Sequence, residues 1–176
     1  MAENLLARVG ANATAFWAHN GHVMAALGEQ AEYRDAGTIG KVLRQRLGPK
    51  YVTVVSAWSR GSFWAETVAW KPGDEVRHAG VIEQTLPNLG PGTLGAVLSR
   101  TGQQAFWVDL NSLPQTDWAR AFGRAHYQWG DAGWRVDPKS WNTDVRDALP
   151  LRPGADILIY FPTISPARFW SDPAHR

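Results

Sequence analysis

Two periodicities alternate along this chain, and that alternation limits the folds open to it more than any single residue does. Short apolar runs at 13–19 (ATAFWAH), 51–58 (YVTVVSAW), 63–70 (FWAETVAW), 104–110 (QAFWVDL) and 155–161 (ADILIYF) have the length and composition of strands. The first run suits a strand buried on both faces, with His19 at its carboxyl end. Between the runs lie helical patterns. Residues 2–9 put Leu5, Leu6 and Val9 on one side, with Gly10 as a stop. Thr38 is a candidate N-cap for a helix that buries Ile39, Val42, Leu43 and Leu47, turns Lys41, Arg44 and Arg46 outward, and stops at Gly48-Pro49. Pro91 fits the first turn of a helix reaching about Thr101 and closed by Gly102. Another helix begins near Thr116-Asp117, and His126 falls on its expected extension.

The polar link SRGS (59–62) is short enough to join its two neighbours as an antiparallel hairpin, and KPGDE (71–75) has turn chemistry. Pro162 is expected to end the last strand. The Gly-, Pro- and Trp-rich stretch 129–153 takes no assignment. The pattern predicts an α/β fold: a mixed, mainly parallel sheet flanked by helices, with one antiparallel hairpin, in a single domain over 1–176.

Composition removes several functional classes. No window of about 18 apolar residues is present, so no membrane partner is expected. The N-terminus lacks a basic start and carries Glu3 and Arg8, which points to a cytoplasmic protein. With no cysteine there is no disulfide scaffold, thiolate nucleophile or cysteine-ligated zinc. The 18 basic residues lie scattered apart from RQR at 44–46, and the net charge is only +2, so nucleic acid is not an expected partner. Ten tryptophans suit a core of large aromatics, or the walls of an apolar cleft around a bulky ligand.

Five histidines are present, and two of them fall three residues apart in WAHNGH (17–22). In open α/β sheets working groups gather at the carboxyl ends of strands, where His19 is expected to lie. Asn20-Gly21 permits a tight turn with positive φ, aiming both imidazoles into one space, where they can orient a water, move its proton or hold a substrate oxygen. HxxH alone is a weak metal signal, and no third ligand follows at zinc-site spacing, so no metal or other cofactor is expected. His78, His126 and His175 read as solvated or structural. Ser62 in RGSF lacks the second glycine of a nucleophile elbow, whereas the Gly61 and Ser62 amides could line the pocket beside the histidines. The roles of Glu66 and Asp109 stay open.

MAENL (1–5), WAHNGH (17–22), TIGKVLRQRLGPKYVTVVSAWSRGSF (38–63) and ADILIYFPTISPAR (155–168) together resemble the C-terminal half of the erythromycin esterase family, through nearly the whole chain. The resemblance implies part of a larger domain that opens ester bonds, macrolactones included, by activating water, with little or no dependence on metal. It also implies that the general base, a histidine supported by glutamates and arginines, belongs to an N-terminal half. His19 and His22 then face that base across a cleft as catalytic groups that orient water or substrate, and Asn20 holds their loop. The implied partner is a small macrolide-like ester. The alternative is a truncated, catalytically inactive remnant that binds a small molecule or a partner, and self-association through exposed apolar surface is expected if half the sheet's cover is missing.

Overall fold

A computed structural model describes residues 2–9, 13–25, 38–69, 77–86, 90–129, 135–136 and 148–167. Its helices are α1 (Ala2–Val9), α2 (Asn20–Val23), α3 (Ile39–Leu47), α4 (Leu94–Ser99) and α5 (Asp117–Arg124). Its strands are β1 (Val54–Ala69), β2 (Arg77–Leu86), β3 (Phe106–Asp109), β4 (His126–Gln128), β5 (Arg135–Val136), β6 (Ala148–Pro150) and β7 (Ile157–Ile164). The main sheet runs β2-β1-β7-β3, with β5 also on β1, and β4 and β6 form a separate antiparallel pair. The β1–β7 and β1–β5 pairings are parallel; β1–β2 and β3–β7 are antiparallel. The expected mixed α/β fold with flanking helices is the one observed.

α3 forms where its caps say it should. The Thr38 hydroxyl accepts the Lys41 N–H at 2.9 Å, and Gly48 ends the helix at φ 56°, a conformation that favours glycine. α1 and α5 also lie where the patterns put them, and α4 begins three residues past Pro91, at a Thr93 cap.

Four local expectations are corrected. Residues 13–19 form no strand; they run as irregular chain with Trp17 98% exposed, and no described strand pairs with them. SRGS makes no turn. Ser59 points into the core, where its hydroxyl donates to the Gly95 carbonyl at 2.8 Å and lies 2.7 Å from the Tyr160 hydroxyl, while Arg60 and Gly61 pair with Thr163 and Ile164. The antiparallel partner of β1 is therefore β2, and the turn expected at 71–75 lies outside the described residues. His126 begins β4 rather than extending a helix. β7 runs through Pro162, which lies beyond Tyr160, the last β7 residue paired with β3; a missing N–H facing that vacated edge costs no ladder bond.

The core lies on one face of the sheet. Val55 and Ala57 of β1 and Leu158 and Tyr160 of β7 pack with Leu94, Leu98, Leu110, Leu151 and Met24. Alternate residues face the other way and stay open: Val54 is 46%, Phe161 42% and Trp107, on the edge strand β3, 68% exposed. Among the described tryptophans only Trp129 is buried; Trp17, Trp64, Trp107 and Trp118 are exposed, so the core reading holds for few of them. Among the described residues no helix is long and apolar enough to cross a membrane.

Candidate functional site

The histidine pair sits on α2, a single helical turn. A turn this short fixes its backbone for few hydrogen bonds and needs outside support. His19 is its N-cap, receiving the Gly21 N–H on Nδ1 at 3.3 Å, and its carbonyl accepts the N–H groups of His22 (2.9 Å) and Val23 (3.3 Å). That bond assigns the proton of a neutral His19 ring to Nε2. The His19 and His22 rings lie edge to face, centroids 6.1 Å apart, and both side chains are exposed. A helical turn therefore brings the imidazoles together, without the positive φ expected at Asn20-Gly21.

Three sets of contacts fasten the turn. At its start the Asn20 side chain imitates a neighbouring strand: Nδ2 donates to the Ser56 carbonyl at 2.8 Å and Oδ1 accepts the Ser56 N–H at 3.2 Å. At its end Met24 is buried in the core cluster, and the carbonyls of Val23 and Met24 accept the hydroxyls of Tyr51 (2.7 Å) and Thr38 (2.8 Å). From below, α3 presses Gly40 so close that a Cβ there would stand 2.0 Å from the Val23 carbonyl oxygen. Only glycine fits that contact.

The location corrects the expectation of a carboxyl-edge site. Ser56 is the third residue of β1, so the histidine turn lies beside the amino-terminal end of the parallel β1–β7 pair. Gly61 and Ser62 do not join it, since five residues of extended strand, roughly 16 Å, separate Gly61 from Ser56. Gly61 instead serves the sheet: at φ 136° its missing Cβ leaves room for the Ile164 carbonyl, which a side chain would meet at 2.1 Å. The Ser62 hydroxyl makes a 3.1 Å cross-strand contact with that of Thr85.

The sequence reading missed Asp156, the most connected carboxylate near this end of the sheet. It takes the Thr53 N–H at 2.7 Å, the Asn111 amide at 3.1 Å and the guanidinium of Arg44, a side chain expected to point only to solvent. Burial works against its ionisation, but these donors, Thr53 first, outweigh it and hold the carboxyl below the ordinary Asp value. Arg44 in turn lies over the Tyr51 ring, 5.5 Å from its centroid. No sequence signal could have paired positions 44 and 156, because their contact follows from the crossover that sets β7 beside β1. Asp109, left open above, receives the Ser112 hydroxyl at 2.7 Å and the Asn111 N–H at 2.8 Å, which lower its pKa; it caps a short turn. Glu66 lies in β1 opposite Val81. The described residues contain no group of three or more His, Cys, Asp or Glu side chains that could hold a metal.

The fold and the turn together define a mixed-sheet α/β domain that presents two neighbouring imidazoles from a braced helical turn. The sequence model of the erythromycin esterase family matches residues 1–164, so the chain belongs to that family. In structure it is similar to a succinoglycan biosynthesis protein (TM-score 0.62, 21% identity, 85% of this chain and 32% of that one) and to a Bacillus cereus protein (TM-score 0.62, 18% identity, 86% and 33%). At these identities the likeness concerns the fold alone, and the chain spans about a third of the length of either structure. A search of curated proteins gives no significant match.

Proposed function

We propose that this chain is an erythromycin-esterase-like hydrolase domain that uses His19 and His22 to cleave ester bonds of the macrolactone kind. Water adds across the acyl carbon–oxygen bond, giving a carboxylic acid and an alcohol. His19, with its proton on Nε2, suits hydrogen bonding to the developing oxyanion, while His22 orients the attacking water and passes the proton that water loses to the departing alkoxide, which leaves as the alcohol. Asn20 keeps the two rings on the sheet. We assign Gly61 and Ser62 to the sheet rather than to this site, and the proposed reaction draws on no metal or cofactor. The single observation that carries the reading is the exposed, edge-to-face histidine pair braced on β1 in a chain that matches the family over 1–164.

The test is mass spectrometry of a 14-membered macrolide incubated with the protein, scoring a product heavier by one water. Turnover is expected, with kcat/KM lowered by about 100-fold or more in His19→Ala and in His22→Ala. Activity indifferent to both substitutions removes the histidines from the chemistry. Saturable quenching of tryptophan fluorescence by the macrolide, with no product formed, replaces the hydrolase by a binding domain.

A further inference from the structure

A single helical turn is too short to hold its own shape, and a 2.7 Å hydrogen bond onto its C-terminal side comes from a residue that the reaction does not use. Tyr51 lies between α3 and β1, half-buried, and its hydroxyl donates to the Val23 carbonyl at 2.7 Å, one residue past His22. Arg44 covers one face of the ring, and Arg44 is itself clamped by Asp156, which also takes the Thr53 N–H at the foot of β1. A continuous set of contacts thus runs from the β1–β7 junction through Asp156, Arg44 and Tyr51 to the carbonyl of Val23, the residue after His22. We infer that Tyr51 is a positioning residue: through the Val23 carbonyl it fixes the mutual placement of the His19 and His22 rings.

Chemistry favours the hydroxyl for this task. Burial raises the phenol's pKa above its ordinary value, so it stays protonated and remains a donor throughout the working pH range. Thr38 cannot replace it. Its hydroxyl serves Met24, one residue farther from the rings, and caps α3 at the same time. Asn20 holds the opposite end of the turn, so removing the Tyr51 hydroxyl leaves the His22 side held at Met24 and Gly40 but without the side-chain bond nearest the His22 ring.

The proposal rests on the hydrolase reading only for its effect on turnover; the geometric part stands by itself. The experiment is NMR of the whole chain with histidine side chains labelled, comparing the wild type with Tyr51→Phe, which keeps the ring under Arg44 and removes only the donor. The expected result is loss of the ring-to-ring NOE between His19 and His22, with the amide signals of Val55 and Leu158 unshifted. Where the wild type turns over an ester, kcat falls about tenfold or more with KM nearly unchanged. An undiminished NOE in a folded Tyr51→Phe protein overturns the proposal, whether or not any ester is cleaved. Absence of turnover in the wild type overturns the hydrolase reading alone. If Tyr51→Phe does not fold, the wild type decides: a slowly exchanging Tyr51 hydroxyl proton with an NOE to the Met24 amide is expected, and a hydroxyl that exchanges freely with solvent overturns the proposal.

Discussion

The two faces of the central sheet are made of the same kinds of residue and live in different surroundings. On one face Val55, Leu158 and Tyr160 are at most 1% exposed; on the other, Val54, Phe161 and Trp107 stand open at 42–68%. A strand with one wet face ordinarily alternates apolar with polar residues, and the β1–β7 pair does so only in part, with Ser56, Arg60 and Thr163 spaced among valine, isoleucine and aromatics. Apolar content therefore predicts that a segment is a strand, while burial depends on what the rest of the chain lays over it.

Substitutions can break or sharpen that contrast. The largest effect is expected at Gly61→Val, where positive φ and the adjacent Ile164 carbonyl combine; loss of about 4 kcal/mol or failure to fold is the outcome, scored by urea denaturation. Gly40→Ala is expected to be nearly as costly, because the Cβ would strike the Val23 carbonyl, and it will also disturb the histidine turn. Leu158→Ala, on the packed face, should cost about 2–5 kcal/mol, whereas Ile159→Ala, its neighbour on the open face, should cost less than about 1 kcal/mol. Equal losses at 158 and 159 would show that the open face is covered in solution.

Asp156 provides a test across pH. Its folded pKa lies below the unfolded one, so its contribution is full above the unfolded value, near 4, and is lost as pH falls through the folded value. Denaturation midpoints of the wild type should fall with acid below about pH 4, and Asp156→Asn should flatten that limb while costing about 1–3 kcal/mol at neutral pH. At the small end, Arg46→Gln removes an exposed ion pair with Glu3, 3.0 Å long, and should shift stability by less than about 0.5 kcal/mol.

How much of this was legible in the residues depended on the range of the forces involved. α3 could be read to its ends because a threonine hydroxyl and a glycine with positive φ act within four residues of themselves. The long β1 could not, since residues 59–62 look like a turn locally and are straightened by partners about a hundred positions away in β7. The run at 13–19 has strand composition but pairs with no strand among the described residues. Of the candidate site, the histidines and Asn20 were visible as a motif, and their closeness is real. What braces them was not visible, because Tyr51, Arg44 and Asp156 meet only after the crossover is complete.

The Asn20 amide has a consequence beyond the two rings. β2 begins to pair with β1 only at Gly61, so among the described residues the earlier stretch of β1 has no strand on that side. At Ser56 a side chain already occupies both backbone groups that a foreign strand would seek. A foreign strand approaching that rim would have to displace the Asn20 amide before it could pair at Ser56, so the residue that braces the imidazoles also blunts an open strand edge.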